Sequence, residues 1–248
     1  MSERKNLKTT TILFDLDGTL LPMDQDIFAK AYIGGLARAA ELHGYEPMTM
    51  TSSILVGTMA MIKNNGEKSN IAVFWDALAK TYGEEIRARS DIFDEFYQTD
   101  FQNVKNVCGF APEAAEIVKR LKEKGLRVAL ATNPLFPIVA TESRIRWAGL
   151  EPKDFELFTT YETSRYCKPN LDYYRDVLAQ LEVAPEECLM VGNDVSEDMI
   201  ASSLGMKVFL LTDCMINKKN ADISVYPHGD FNALMAYLDK ISTDEKVK

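Results

Sequence analysis

The chain has only two histidines, His43 and His228, among its 248 residues. That scarcity argues against a histidine-rich zinc site. Its four cysteines, Cys108, Cys167, Cys188 and Cys214, lie far apart and form no Cys-x-x-Cys pair. They read as reduced thiols of a cytoplasmic protein. No apolar run approaches the roughly 18 residues of a membrane span. The opening stretch, MSERKNLKTT, is polar and carries no apolar segment of signal-peptide type. Basic residues are the minority, 28 against 37 acidic, for a formal charge of −9. Neither a nucleic-acid polymer nor a membrane surface is the expected partner. A small anionic substrate stays open, because a bound metal can invert the local sign.

What is present is enough apolar material for a packed core, 46% of the chain. The length suggests one large domain or one domain with a sizeable insertion. No internal repeat or low-complexity segment interrupts it. Thr10 to Asp17 reads as a buried strand. From about Asp24 to Val107 the apolar spacing is helical, with Ile27, Phe28, Tyr32, Leu36 and Ala39 on one stripe and Gly44 as a stop. MTMTSSILVGTMAMIKNNG and SNIAVFWDALAKTYG each begin near a Ser, Thr or Asn cap and end at glycine. SDIFDEFYQTDF is a further short helix, and the methionines of this tract read as core filler.

From about Gly109 helix and strand alternate. PEAAEIVKRLKEKG is a helix opened by proline and closed by glycine. RVALATN, FELFTTYET, CLMVGND and KVFLLTD read as strands. PIVATESRIRWAGL, LDYYRDVLAQLE, SEDMIASSLG and DFNALMAYLDKI read as helices. The tail, STDEKVK, is expected to fray. Strands joined through helices imply right-handed crossovers and a parallel α/β sheet, Rossmann-like, with helices on both faces. Such sheets bind ligands beyond the carboxyl ends of their strands. The helical tract, residues 21–108, would then be an all-α insertion into a core of 1–20 and 109–248. It leaves the core at the ligand end, where a lid belongs.

Polar residues collect at those strand ends. Asp15 and Asp17 follow TILF, Thr132 and Asn133 follow RVALA, and Asn193 and Asp194 follow CLMVG. Lys168 opens the connection after FELFTTYET, and Asp198 lies four residues past Asp194. Taken singly, three of these are ordinary: Thr132-Asn133 before Pro134 fits a helix cap, Lys168 a solvated lysine, Gly192-Asn193-Asp194 another cap. Their recurrence at successive strand ends favours a site. Two carboxylates about 4 Å apart repel by roughly 4 kcal/mol at an effective dielectric near 20. Such a cluster asks for a cation. Oxygen-only donors point to a hard ion such as Mg²⁺, which leaves room for substrate phosphate. An EF-hand would need a spaced acidic series ending in glutamate, which LDGTLLPM lacks. In phosphoryl transfer one aspartate can be the nucleophile, and a second can protonate the leaving group and then activate water. Asp15 and Asp17 suit those roles if the chain turns at Leu16, with Gly18 giving the freedom to turn.

DLDGTL (Asp15 to Leu20), ATN (Ala131 to Asn133), KP (Lys168 and Pro169) and VGNDVSED (Val191 to Asp198) resemble, in order, the four motifs of the haloacid dehalogenase (HAD) superfamily. The resemblance spans nearly the whole chain, and the helical insertion resembles the C1 cap of subfamily I. It implies that Asp15 is the nucleophile and a Mg²⁺ ligand. Asp17 would be the general acid/base, its carbonyl also on the metal. Thr132 and Lys168 would hold the phosphoryl group, Asn133 would line the pocket, Asp194 would complete the metal shell, and Asp198 would support Lys168 or a metal-bound water. Members commonly read Gly-Asp here. In this chain Asn193 intervenes before Asp194; the spacing of four from Asp194 to Asp198 fits one common form and favours Asp194 as the direct ligand, with Asn193 in that place or beside it as the alternative.

The expected activity is a Mg²⁺-dependent phosphatase for a small phosphorylated metabolite, in a monomer or homodimer. A phosphomutase of the β-phosphoglucomutase kind is the alternative. The resemblance argues against 2-haloacid dehalogenases and phosphonate hydrolases, both of which lack the second aspartate that Asp17 supplies. Pro22, Met23 and Asp24, and Lys63, Asn64 and Asn65, are the candidate specificity positions, each of which alone also fits a solvated loop.

Overall fold

The computed structural model describes residues 8–243. Five strands form one parallel sheet in the order β2-β1-β3-β4-β5. They are β1 (Thr11–Phe14), β2 (Arg127–Leu130), β3 (Cys188–Gly192), β4 (Lys207–Leu211) and the short β5 (His228–Gly229). Strand alternation divides the apolar side chains between two cores. Ile12, Phe14, Val128, Leu130, Leu189, Val191, Phe209 and Leu211 face one. Leu13, Ala129, Met190, Val208 and Leu210 face the other. Both faces are buried, which is why these strands read as continuous apolar runs.

Helices α5 (Pro112–Glu123), α6 (Ile138–Trp147), α7 (Leu171–Leu181) and α8 (Phe231–Thr243) belong to the alternating half. Between β1 and α5 lie α1 (Gln25–Glu41), α2 (Pro47–Ile62), α3 (Asn70–Tyr82) and α4 (Ser90–Gln98), with 3₁₀ turns at Glu84–Arg89 and Asp100–Val107. Their apolar faces join the first core, so the inserted helices and the sheet share one continuous apolar cluster. Among the described residues no helix is long and apolar enough to cross a membrane.

Several sequence expectations need correction. FELFTTYET is not a strand: it contributes one isolated bridge, Phe158 beside Leu130. It runs along β2 through Glu156 N–H to Val128 O and Leu130 N–H to Leu157 O. It then turns away, because Thr159 Oγ1 donates to Thr132 O and Tyr161 O is taken by Ile71 N–H of α3. SEDMIASSLG forms only a 3₁₀ turn at Met199–Leu204. Ser202 Oγ bonds back to Met199 O and competes with the helical ladder, and Gly205 ends it at a positive φ. Helix α2 is capped by Glu46, not by Ser, Thr or Asn. Ser69 makes no cap bond for α3; the first N–H groups of that helix donate instead to Ser164 O and Tyr161 O. Met50 and Met61 are core residues, but Met48 and Met59 are exposed. The frayed-tail expectation falls largely outside the described residues.

Candidate active site

The register sets Phe14 beside both Leu130 and Val191. Asp15 N–H donates to Val191 O, and Ala131 N–H to Phe14 O. The residues that follow these three strands therefore meet at one edge. The chain turns after Leu16, whose carbonyl accepts from Thr19 N–H and Leu21 N–H. Gly18 sits at φ +85°, and a Cβ there would meet the Asn193 amide at 2.3 Å, so both conformation and space require glycine. The turn at Leu16 is thus present.

Asp15 is 7% exposed. Its Oδ1 accepts from Lys168 Nζ at 2.9 Å and its Oδ2 from Thr19 Oγ1 at 3.2 Å. Lys168 Nζ also donates to Asp198 Oδ1 at 2.6 Å. Asp198 Oδ2 in turn accepts from Asp194 N–H. A Cβ on Gly192 would strike the Asp198 carboxyl at 2.2 Å, which explains the glycine before Asn193. Burial opposes the charge on Lys168, yet Asp15 and Asp198 hold its pKa well above the ordinary lysine value.

Asp17 lies in a different environment. Its Oδ2 accepts from Arg144 Nη1, and its Oδ1 is buried with no partner. Burial lifts its pKa to about 6, against the pull of Arg144. Thr132 is buried, and its carbonyl accepts from Thr159 Oγ1 and Tyr173 OH. The Asn133 amide is a brace: Oδ1 accepts from Lys168 N–H, and Nδ2 donates to Glu197 Oε2. Burial first, then nearby carboxylates, push Glu197 to about 7.

The two motif-four candidates separate. Asn193 Oδ1 accepts from Thr19 Oγ1 at 3.1 Å, on the Asp15 side. Asp194 Oδ1 accepts from Ser196 N–H and Glu197 N–H, so it caps the following turn. Among the described residues no three His, Cys, Asp or Glu side chains converge as a ready-made cation site. A magnesium ion does not require three, since one or two carboxylates, a carbonyl, waters and substrate oxygens suffice. The donors present fit such an ion. Thr19 has one proton for two facing oxygens, Asp15 Oδ2 and Asn193 Oδ1, and all candidate donors are hard oxygens. Asp15, Asp17, Asp194, Glu197 and Asp198 also outnumber Lys168 and Arg144.

A cleft of about 640 Å³ opens between Pro22–Asp26, Asn106–Gly109 and the loop of Cys214–Lys218. Asp15, Thr132 and Lys168 are not among its walls. Its walls reach the site through Gln25 Nε2, 3.5 Å from Asp17 O, and Cys214 O, which accepts from Asn193 Nδ2. Asp24 caps α1, and Met23 bridges to Cys108. Asn64 is buried in its own turn, bonded to Lys68 O, Asn70 Oδ1 and Gly66 N–H, whereas Lys63 and Asn65 are exposed.

Four participants escaped the sequence reading: Thr19, Arg144, Tyr173 and Glu197. Arg144 had a usable signal. It falls between Ala140 and Ala148 at helical spacing, on the buried stripe of α6.

A model of the haloacid dehalogenase-like hydrolase family matches residues 9–203. The chain belongs to the haloacid dehalogenase-like hydrolases. This HAD enzyme is 28% identical over 232 residues to the glyceraldehyde 3-phosphate phosphatase of Methanothermobacter thermautotrophicus, covering 86% of this chain and 93% of that protein. It is 26% identical over 202 residues to a phosphoglycolate phosphatase of Vibrio vulnificus, covering 81% and 82%. The crystal structure of a HAD phosphatase from Thermococcus onnurineus matches with a TM-score of 0.58 at 16% identity, covering 94% of this chain and 98% of that one. That likeness is one of fold.

Proposed function

We propose that this HAD hydrolase is a Mg²⁺-dependent phosphatase acting on a small phosphorylated metabolite through an aspartyl-phosphate on Asp15. The observation that carries this reading is the unequal equipment of the two aspartates. Asp15 is held by Lys168 and Thr19, beside the cation that would meet a phosphoryl group. Asp17 keeps one carboxylate oxygen without a partner. The names of the two curated relatives support a small phosphorylated substrate.

Asp15 attacks phosphorus, and its new O–P bond forms as the bond to the leaving oxygen breaks. Asp17 gives its proton to that oxygen. Asp17 then takes a proton from water as the water attacks phosphorus, and the Asp15–phosphorus bond breaks to release phosphate. Lys168 neutralises phosphoryl charge and keeps its alignment through Asp198. Thr132 would hold the same phosphoryl group. The Asp15 carboxylate, the Asp17 carbonyl and Asn193 Oδ1 or Asp194 would hold Mg²⁺; the ion supplies charge neutralisation when bound. The inserted helices act as a cap. Asn70 of α3 supports this, because its amide nitrogen reaches Pro134 O, Tyr166 O and Cys167 Sγ, on the loops that carry Asn133 and Lys168.

The test is phosphate release from a panel of phosphorylated metabolites, with Mg²⁺ and with chelator. Metal-dependent release is expected, and Asp15→Asn should reduce it by more than ~10⁴-fold while unfolding at the wild-type temperature. An active Asp15→Asn variant would remove the nucleophile assignment. A folded protein that releases phosphate from no compound would point to the mutase, to be assayed as phosphosugar isomer conversion.

A further inference from the structure

The two oxygens of the Asp17 carboxylate have unlike surroundings. Oδ2 is taken by Arg144 Nη1. Oδ1 is buried and has no partner. Arg144 itself is fully buried. Its Nε donates to Ala140 O at 3.3 Å and its Nη2 to Thr141 Oγ1 at 3.2 Å. Its guanidinium carbon lies 4.1 Å from the centre of the Phe136 ring. Phe136 is in turn clamped by two rings of the inserted helix α1, Tyr32 at 5.0 Å and Phe28 at 6.0 Å. All three guanidinium nitrogens are used and one face is covered, so the fork has a single orientation.

We infer that Arg144 is the positioning residue of the acid–base aspartate: it fixes Oδ2 of Asp17, so that Oδ1 is the oxygen that carries the proton to the leaving group and from water. This rests on the phosphatase reading above. Two alternatives fit the geometry less well. A purely structural buried pair would satisfy both carboxylate oxygens, since an unpaired one is costly. A direct substrate contact would need a free nitrogen or some exposed surface, and Arg144 has neither. The arginine therefore acts through Asp17. Its stack on Phe136 also ties the aim of that carboxylate to the seat of helix α1.

The experiment compares kcat/KM for two phosphates of similar shape. Benzyl phosphate releases an alkoxide that must be protonated as it leaves. 4-Nitrophenyl phosphate releases a phenolate that is stable near neutral pH. In Arg144→Met the value for benzyl phosphate is expected to fall roughly 10²-fold, and that for 4-nitrophenyl phosphate less than ~10-fold. Arg144→Lys should recover part of the lost ratio. Adding Arg144→Met to Asp17→Asn should leave the ratio where Asp17→Asn alone puts it. Equal losses for the two phosphates, or a ratio that moves again in the Asp17→Asn background, would overturn the inference. If Arg144→Met does not fold, Arg144→Lys and Thr141→Val decide: both should shift the ratio in the same direction, and an unmoved ratio in both contradicts it. A wild-type protein that hydrolyses neither phosphate would count against the phosphatase reading itself. Hydrolysis of both, with an unmoved ratio in the variants, would count against Arg144 alone.

Discussion

Lys168 and Arg144 are both buried cations, and each is paired with one aspartate of the Asp15-Leu16-Asp17 segment. They reach it from opposite kinds of structure. Lys168 comes from the loop before α7 and stands between two carboxylates, Asp15 and Asp198. Arg144 comes from the middle of α6 and holds one carboxylate by one oxygen. A compact ammonium suits the first place, where charge must face several oxygens. A planar fork suits the second, where direction matters more than charge. On the lysine side both oxygens of the Asp15 carboxylate and both of Asp198 are engaged. On the arginine side Oδ1 of Asp17 is buried without a partner. The difference matches the two tasks proposed above: a nucleophile needs neutralised surroundings, and a proton carrier needs an oxygen that no other group already engages.

Stability should separate the two arms. Lys168→Met leaves Asp15 and Asp198 buried without their shared cation and should cost ~3–5 kcal/mol in a urea titration. Arg144→Met strands one carboxylate, whose side chain keeps 18% exposure, so water offsets part of the penalty. Its expected cost is smaller, ~2–3 kcal/mol. If the arginine variant proved the less stable of the two, the comparison would be inverted.

The carboxylate excess can be tested at Glu197, which burial raises from 4.5 to about 7. The folded state then holds a proton that the unfolded state has released, so ionised Glu197 opposes folding. The stability of the metal-free protein should fall as pH rises from 4.5 toward 7, with the full penalty above that. With chelator present, Glu197→Gln should match wild type near pH 4 and exceed it by roughly 2 kcal/mol at pH 8, after allowance for partial exposure. A difference that does not vary with pH would contradict the assigned cause. The smallest effect is expected at the join between α3 and the core loops. Asn70→Leu keeps the bulk but removes the amide bonds to Pro134, Tyr166 and Cys167, and should cost ~1–2 kcal/mol in thermal unfolding. An unchanged midpoint would mean that the backbone bonds of Asn70 and Ile71 carry this join alone.

The same contrast describes what could be read from the sequence. Strands β1 to β4 announce themselves because both faces of the sheet are buried, so every position from Ile12 to Phe14 is apolar. FELFTTYET is rich in strand-forming Phe, Thr and Tyr but carries Glu156 and Glu162; it lies at the margin, and tertiary bonds at Thr159 and Tyr161 pull it off the ladder. Asp15 and Asp17 were legible because strand ends of a parallel sheet gather at one edge; Lys168 meets Asp15 from a loop that follows no strand. Arg144 was not legible in local composition, because Glu-Ser-Arg-Ile-Arg-Trp reads as a charged helical face. Arg146, two residues on, has a side chain 49% exposed, and that of Arg144 is 0% exposed. Local composition does not distinguish them; the helical spacing of Arg144 with Ala140 and Ala148 does, and the charge partner that makes its burial tolerable, Asp17, lies 127 residues away. Spacing alone favours Asp194 over Asn193 for a similar reason. The Thr19 hydroxyl that faces Asn193 becomes its neighbour only when the turn at Gly18 closes.

The central claim is that Asp15 becomes covalently phosphorylated during turnover. The most direct measurement is borohydride trapping during steady-state hydrolysis, followed by peptide mass spectrometry. An acyl-phosphate at Asp15 would be reduced to homoserine at that position, only when substrate is present, and not in Asp15→Asn. Active hydrolysis with Asp15 unmodified, or reduction at a different carboxylate, would contradict the account.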